Sequence, residues 1–125
     1  MPAGPCVPYV RVKDARASLD YYHRCLGFHK EFEQQFEPAS PRCVSIARGS
    51  LRILLSEHAG DGNFGICLYC PVNDADRLHA EFARAGALHI TGVEEMPWGR
   101  DFSVRDLDGN ELRFGSPRPD ASIAA

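Results

Sequence analysis

The sequence predicts an α+β fold made of two βαβββ repeats, and three observations carry that prediction. Two helical patterns, one after Asp14 and one after Asn73 or Asp74, each bear an apolar stripe and stop at a glycine. Each is preceded by one strand-like run and followed by three. Tyr9, Val12, Asp14 and Ala15 also match Tyr69, Val72, Asp74 and Ala75 at one constant offset, and Leu19 and Gly27 match Leu78 and Gly86 with the offset shortened by one.

In chain order, residues 7–12 read as a strand, with Pro8 placing it at an edge or at a crossover between chains. Asp14 offers a side-chain acceptor to the first free N–H groups of a helix. Ala15, Leu19, Tyr22 and Leu26 follow at helical spacing, and Gly27 supplies the left-handed stop. Strands are expected at 28–36, 42–47 and 51–56, with 37–41 as a loop and Gly49-Ser50 as a hairpin turn. The second repeat opens with a strand at 66–72 and a helix whose buried face holds Ala75, Leu78, Phe82 and Ala85, ending at Gly86. Strands at 88–93, 101–105 and 111–114 complete it, the last two joined by the turn Asp108-Gly109-Asn110. Residues 1–115 are thus expected to form a single domain of two repeats, about 7–57 and 65–115, with 116–125 as a mobile tail. Each repeat leaves one sheet face bare, and the sister repeat or a second chain is the natural cover.

A length of 125 residues leaves no room for a two-domain enzyme or an eight-fold β/α barrel of about 250 residues. No apolar run approaches the roughly 20 residues that cross a bilayer. Met1-Pro2-Ala3-Gly4-Pro5-Cys6 has neither a basic nor an apolar leader region, so a soluble, cytoplasmic protein is expected, with no membrane partner. Lys and Arg number 14 against 17 Asp and Glu and are scattered, which argues against nucleic acid as a partner. Five cysteines in such a chain favour free thiols. In Cys67-Leu68-Tyr69-Cys70 the strand-like context sends the two thiols to opposite faces, where they can share neither a metal nor a disulfide.

The duplicated pattern resembles the vicinal oxygen chelate superfamily, which includes glyoxalase I, extradiol dioxygenases, and fosfomycin- and bleomycin-resistance proteins. Two stretches carry the likeness: residues 7–14 with Leu19-Asp20-Tyr21-Tyr22-His23-Arg24-Cys25-Leu26-Gly27-Phe28, and Pro97-Trp98-Gly99-Arg100-Asp101-Phe102-Ser103-Val104 on to Asn110. The Pro-Trp-Gly-Arg element and the chain length are most similar to the bleomycin-resistance branch. The resemblance implies curved mixed sheets around a cleft, in a homodimer that exchanges its first strand at a proline, here Pro8. It also implies where the enzymes of the superfamily would place metal ligands: Val7, Leu54, Cys67 and Arg113. Only Cys67 among these can ligate a divalent metal, so neither a metal nor another cofactor is expected. An unrelated site using His58 with Glu57 is the alternative, against solvated histidines throughout.

On the register fixed by the ligand positions that the resemblance implies, strand alternation directs Tyr9 and Arg11, Arg52 and Leu54, Cys67 and Tyr69, and Glu111 and Arg113 to the open faces. Trp98 lies in a loop rather than on a periodic apolar face, which leaves core packing and ligand contact both open. The resemblance places Trp98, Phe32, Phe36 and Tyr69 with the aromatic residues of a drug groove, core packing remaining the alternative for Phe32. The expected ligand-binding set is therefore Tyr9, Phe32, Phe36, Arg52, Leu54, Tyr69, Trp98 and Arg113, with no catalytic residues. The expected function is metal-free sequestration of an amphipathic small molecule, a bleomycin-type glycopeptide antibiotic, by a homodimer. Two alternatives stand beside it: a metal-dependent lyase, isomerase or dioxygenase of the glyoxalase type, and a binder of an anionic metabolite held by Arg11, Arg52 and Arg113.

Overall fold

The computed structural model describes residues 3–118, and the chain divides between Phe64 and Gly65 into two units. Each unit is a four-stranded mixed sheet with one helix against it.

In the first unit, β1 (Tyr9–Arg11) leads into α1 (Ala15–Leu26), followed by β2 (His29–Gln34), β3 (Cys43–Arg48) and β4 (Leu51–Ser56). Asp14 accepts from the N–H groups of Arg16 and Ala17 at 3.0 and 3.1 Å, and Gly27 closes the helix at φ 70°. The first helical N–H, of Ala15, reaches the Glu57 carboxylate just past β4 at 2.7 Å, so the helix start is tied to the sheet it covers. The strand order is β1-β4-β3-β2, with β1 parallel to β4 of the same chain and the other pairs antiparallel. Val10, Val12, Val44, Ile46, Ile53 and Leu55 are buried, as are Ala15, Ser18, Tyr21, Tyr22 and Leu26 of α1. The stripe differs from the expected one at Leu19, which is only half-buried while Ser18 and Tyr21 go inside. The Tyr21 ring stands edge-on to Tyr22 at 5.8 Å.

The second unit repeats the plan with β5 (Cys67–Pro71), α2 (Ala75–Ala85), β6 (Glu94–Met96), β7 (Gly99–Arg105) and β8 (Glu111–Pro117), in the order β5-β8-β7-β6. Asp74 caps α2 through the Arg77 N–H, and the Ala75 N–H is held by the Ser116 hydroxyl, the counterpart of Glu57. Phe82 of α2 lies 5.1 Å from Phe114 and 5.9 Å from Phe102, and those two rings stack at 5.5 Å. Asp106 accepts from the backbone N–H groups of Asp108 and Asn110 and from the Asn110 side chain, all at 2.9 Å. The Asn110 side-chain oxygen then accepts from Gly65 and Ile66, joining the β7–β8 turn to the approach to β5.

Two sequence expectations are corrected. The strand expected at 88–93 does not form: Leu88 makes one isolated bridge to Arg105, and His89, at φ 49°, turns the backbone out of the extended range. The first strand after α2 is instead Glu94–Met96, paired with Gly99–Asp101 so that Pro97 and Trp98 form the hairpin tip. The tail starts later than expected, because Ser116 and Pro117 continue β8. The rest of that expected tail, from 119 on, lies outside the described residues.

Within β5, Cys67 is exposed and Cys70 is 5% exposed, the opposite-face arrangement that alternation requires. Burial, with the nearby Cys67 second, pushes the Cys70 thiol up to about 11. Iodoacetamide at pH 8 is therefore expected to alkylate Cys67 at least ~100-fold faster than Cys70 in the folded chain, as read by peptide mass spectrometry. A raised pKa favours the protonated form in the folded state. This contribution to stability is therefore intact below pH 9 and is lost as pH rises toward about 11.

Candidate functional site

The face of each sheet opposite its helix carries the site residues. On the first unit, register aligns Tyr9, Leu54, Ser45 and Phe32 in one row across β1, β4, β3 and β2. A bulge between Lys30 and Phe32 inserts Glu31. Its carboxylate accepts from the Ser45 hydroxyl at 3.0 Å and takes two bonds from the Arg52 guanidinium at 2.7 and 2.9 Å. The Arg52 bonds, then the Ser45 bond, hold the Glu31 carboxyl below its usual range.

Toward the end of β2 the same unit has a groove of about 470 Å³, lined by Tyr9, Gln34, Phe36, Cys43, Ser56 and Asp61 among others. Phe36 stands in the loop past β2 and is 91% exposed. Ser56 donates to Asp61 at 2.6 Å and accepts from the His58 N–H at 3.1 Å, which fixes the groove floor. Burial, then the Asp61 charge, raises the Cys43 thiol. Arg11 lies 4.6 Å above the Phe64 ring, a cation–π placement.

On the second unit, Tyr69 pairs with Arg113 and Arg113 with Ser103. Arg113 is bound to Glu111 at 2.9 Å. The central feature is Asp101, 6% exposed, which accepts the Trp98 indole N–H at 2.9 Å and lies 3.5 Å from the Tyr69 hydroxyl. Trp98 at the hairpin tip is 37% exposed and Tyr69 is 41% exposed. The Trp98 ring is therefore anchored at its N–H and the Tyr69 hydroxyl is aimed at the same carboxylate, while part of each ring meets solvent. Burial, then the Asp101 charge, raises the Tyr69 hydroxyl above its ordinary range. The same unit has a groove of about 300 Å³ lined by Thr91, Glu94, Met96, Asp101, Ser103 and Arg113, among others, with Asp101 common to it and to the ring contacts.

All eight sequence-predicted site residues thus lie on or beside an open face, five in the first unit and three in the second. Core packing is not the role of Phe32 or Trp98. Two of the three arginines differ from the sequence expectation in being ion-paired. Arg52 and Arg113 are paired with Glu31 and Glu111, so they do not present bare cations to an incoming anion. The alternative metal pair does not assemble either. Glu57 accepts the Ala15 and Arg42 N–H groups, while His58 Nδ1 accepts from Gly60. Among the described residues no three His, Cys, Asp or Glu side chains gather as a metal cluster.

Sequence reasoning passed over Glu31, Asp101 and Gly115. Asp101 had a signal, since alternation with buried Phe102 and Val104 sends it to the open face beside the Pro-Trp-Gly-Arg element. Glu31 had none, because only the bulge turns it there. No described helix is long and apolar enough to cross a membrane.

Comparison with known proteins agrees with this architecture. No curated protein sequence matches the chain at a significant level. The bleomycin-binding protein of bleomycin-producing Streptomyces verticillus, solved with copper(II)-bleomycin, is 29% identical, with a TM-score of 0.73 over 94% of this chain and 99% of that one. TnmS3, an antibiotic-binding protein from Streptomyces sp. CB03234, is 21% identical, with a TM-score of 0.76 over 94% and 98% of the two chains. The bleomycin resistance determinant encoded on transposon Tn5 is 19% identical, with a TM-score of 0.75 over 93% and 99%. At these identities the last two share the fold. The family model described as glyoxalase superfamily protein matches residues 4–120. With nearly the whole length matched and both four-stranded units in place, the chain belongs to the glyoxalase/bleomycin resistance/dioxygenase superfamily.

Proposed function

We propose that this chain sequesters an amphipathic small molecule without chemical change, and that the ligand is a bleomycin-type glycopeptide antibiotic. The observation that carries the reading is Trp98. The largest side chain in the protein sits at a hairpin tip with its N–H fixed and its ring reaching solvent, a poor use of the residue for stability and a good one for stacking. Tyr9, Phe32, Phe36 and Tyr69 add further exposed rings on the open faces. The similarity to a protein solved with copper(II)-bleomycin favours this ligand over others of the same chemistry. Pairing of Arg52 and Arg113 removes the repulsion that bare arginines would exert on a cationic drug.

A metal centre of the kind the superfamily's enzymes use does not fit the donor set. Val7, Leu54 and Arg113 offer no ligating atom at the positions the resemblance assigns, which leaves Cys67 alone. The reading therefore assigns any metal to the ligand and none to the protein. It includes a homodimer, in which a second copy completes each groove and leaves the rings open to the ligand. Isothermal titration with metal-free and copper-loaded bleomycin tests the reading. Saturable heat at micromolar ligand is expected, and no heat at high micromolar concentration defeats it.

A further inference from the structure

We propose that Asp101 is a positioning residue that presets the Trp98 and Tyr69 rings for ligand, and that Gly115 is the opening that lets it do so. The inference rests on the binding role proposed above and extends it to two residues that need not touch the ligand. A buried carboxylate is costly unless its oxygens are satisfied. Here Oδ2 accepts the Trp98 indole N–H at 2.9 Å, while Oδ1 faces the Tyr69 hydroxyl at 3.5 Å. One side chain of β7 thereby links the β6–β7 hairpin tip to β5, which is not adjacent to β7 in the sheet.

The strand between them is β8, and Gly115 of β8 is the register partner of both Asp101 and Pro71. A Cβ at Gly115 would overlap the Tyr69 hydroxyl and Asp101 Oδ1. Any residue but glycine would force the phenol and the carboxylate apart. The missing side chain is thus part of the site: it opens the path across β8 along which the two groups meet. With Trp98 held at its N–H and the Tyr69 hydroxyl aimed at the same carboxylate, the rings lose little further rotational freedom when a flat group stacks on them, so much of the ordering cost of binding is met in the free protein. Neighbouring Glu94 and Arg113 line the groove but hold neither ring; Arg113 is bound to Glu111.

Trp98 is the sole tryptophan, so intrinsic fluorescence reports on this ring alone, without ligand. Asp101→Ala is expected to release the indole, raising acrylamide quenching about twofold and lowering emission anisotropy, and to weaken copper-bleomycin binding about tenfold. Asp101→Asn keeps an oxygen acceptor for the indole and should rescue both readouts to within about threefold of the parent affinity. Gly115→Ala keeps every hydrogen-bonding group and should still weaken binding, with Tyr69 displaced. It also serves as the second variant if Asp101→Ala does not fold by circular dichroism. The proposal is overturned if Trp98 quenching and anisotropy are unchanged in both folded variants, or if Asp101→Asn behaves like Asp101→Ala, which would make the charge and not the geometry the cause. Failure of the parent protein to bind bleomycin would count against the ligand assignment, whereas the ligand-free fluorescence still judges the role of Asp101.

Discussion

Replacing Trp98 with alanine is expected to weaken bleomycin binding at least ~30-fold, the loss of about 2 kcal/mol or more that a central aromatic anchor typically carries. The ring offers a large, stiff apolar surface with only two side-chain torsions to fix, and its N–H is already engaged by Asp101. Stability should fall by about 1–3 kcal/mol, because the substitution removes a partly exposed ring and leaves one oxygen of the buried Asp101 carboxylate without its donor. Trp98→Phe keeps a stacking face but loses that hydrogen bond, and should fall between alanine and the parent. Titration calorimetry and urea melting on the same preparations separate the two effects. Equal binding by Trp98→Ala and the parent would remove the aromatic site from the account.

Phe82→Ala is expected to behave in the opposite way, destabilising the protein by about 3–5 kcal/mol. Phe82 is fully buried and meets both Phe102 and Phe114, the two rings through which α2 grips β7 and β8. Those strands also carry Asp101 and Gly115 on their other face. Loss of the ring leaves a cavity beneath the sheet that holds the site, and close-packed neighbours fill such a space only in part. Where the variant still folds at low temperature, bleomycin affinity should drop no more than a few-fold. A urea midpoint close to that of the parent would show that α2 is held by something other than this cluster.

The helices were legible because their signals are local. Asp14 and Asp74 cap, Gly27 and Gly86 stop, and the apolar stripes between them match the buried faces except at Leu19, which is half-buried, and at Ala85, which stands exposed in the last turn of α2. Strand faces were equally legible, since alternation, on the register that the resemblance implies, puts Tyr9, Leu54, Tyr69 and Arg113 opposite the helices. The segment 88–93 misled because Leu88, Ile90 and Val93 suit a strand, while the departure from extended backbone occurs at His89, a residue type with no strong turn signature. What could not be read was the pairing between side chains far apart in sequence. Glu31 meets Arg52 only because a bulge turns it over, and Tyr69 reaches Asp101 only because β8 presents a glycine between them. Both depend on cross-strand register, which no periodicity along one strand encodes. Arg52 and Arg113 thus read as bare charges in the sequence and as ion pairs in the fold.

The central claim is that these faces hold a ligand and leave it unaltered. Equilibrium dialysis of the protein against metal-free and copper-loaded bleomycin, followed by mass spectrometry of the recovered drug, tests it most directly. Drug is expected to accumulate on the protein side in fixed stoichiometry and to return with its mass unchanged after denaturation. Equal concentrations on both sides at high micromolar protein, or a recovered drug of altered mass, would contradict it.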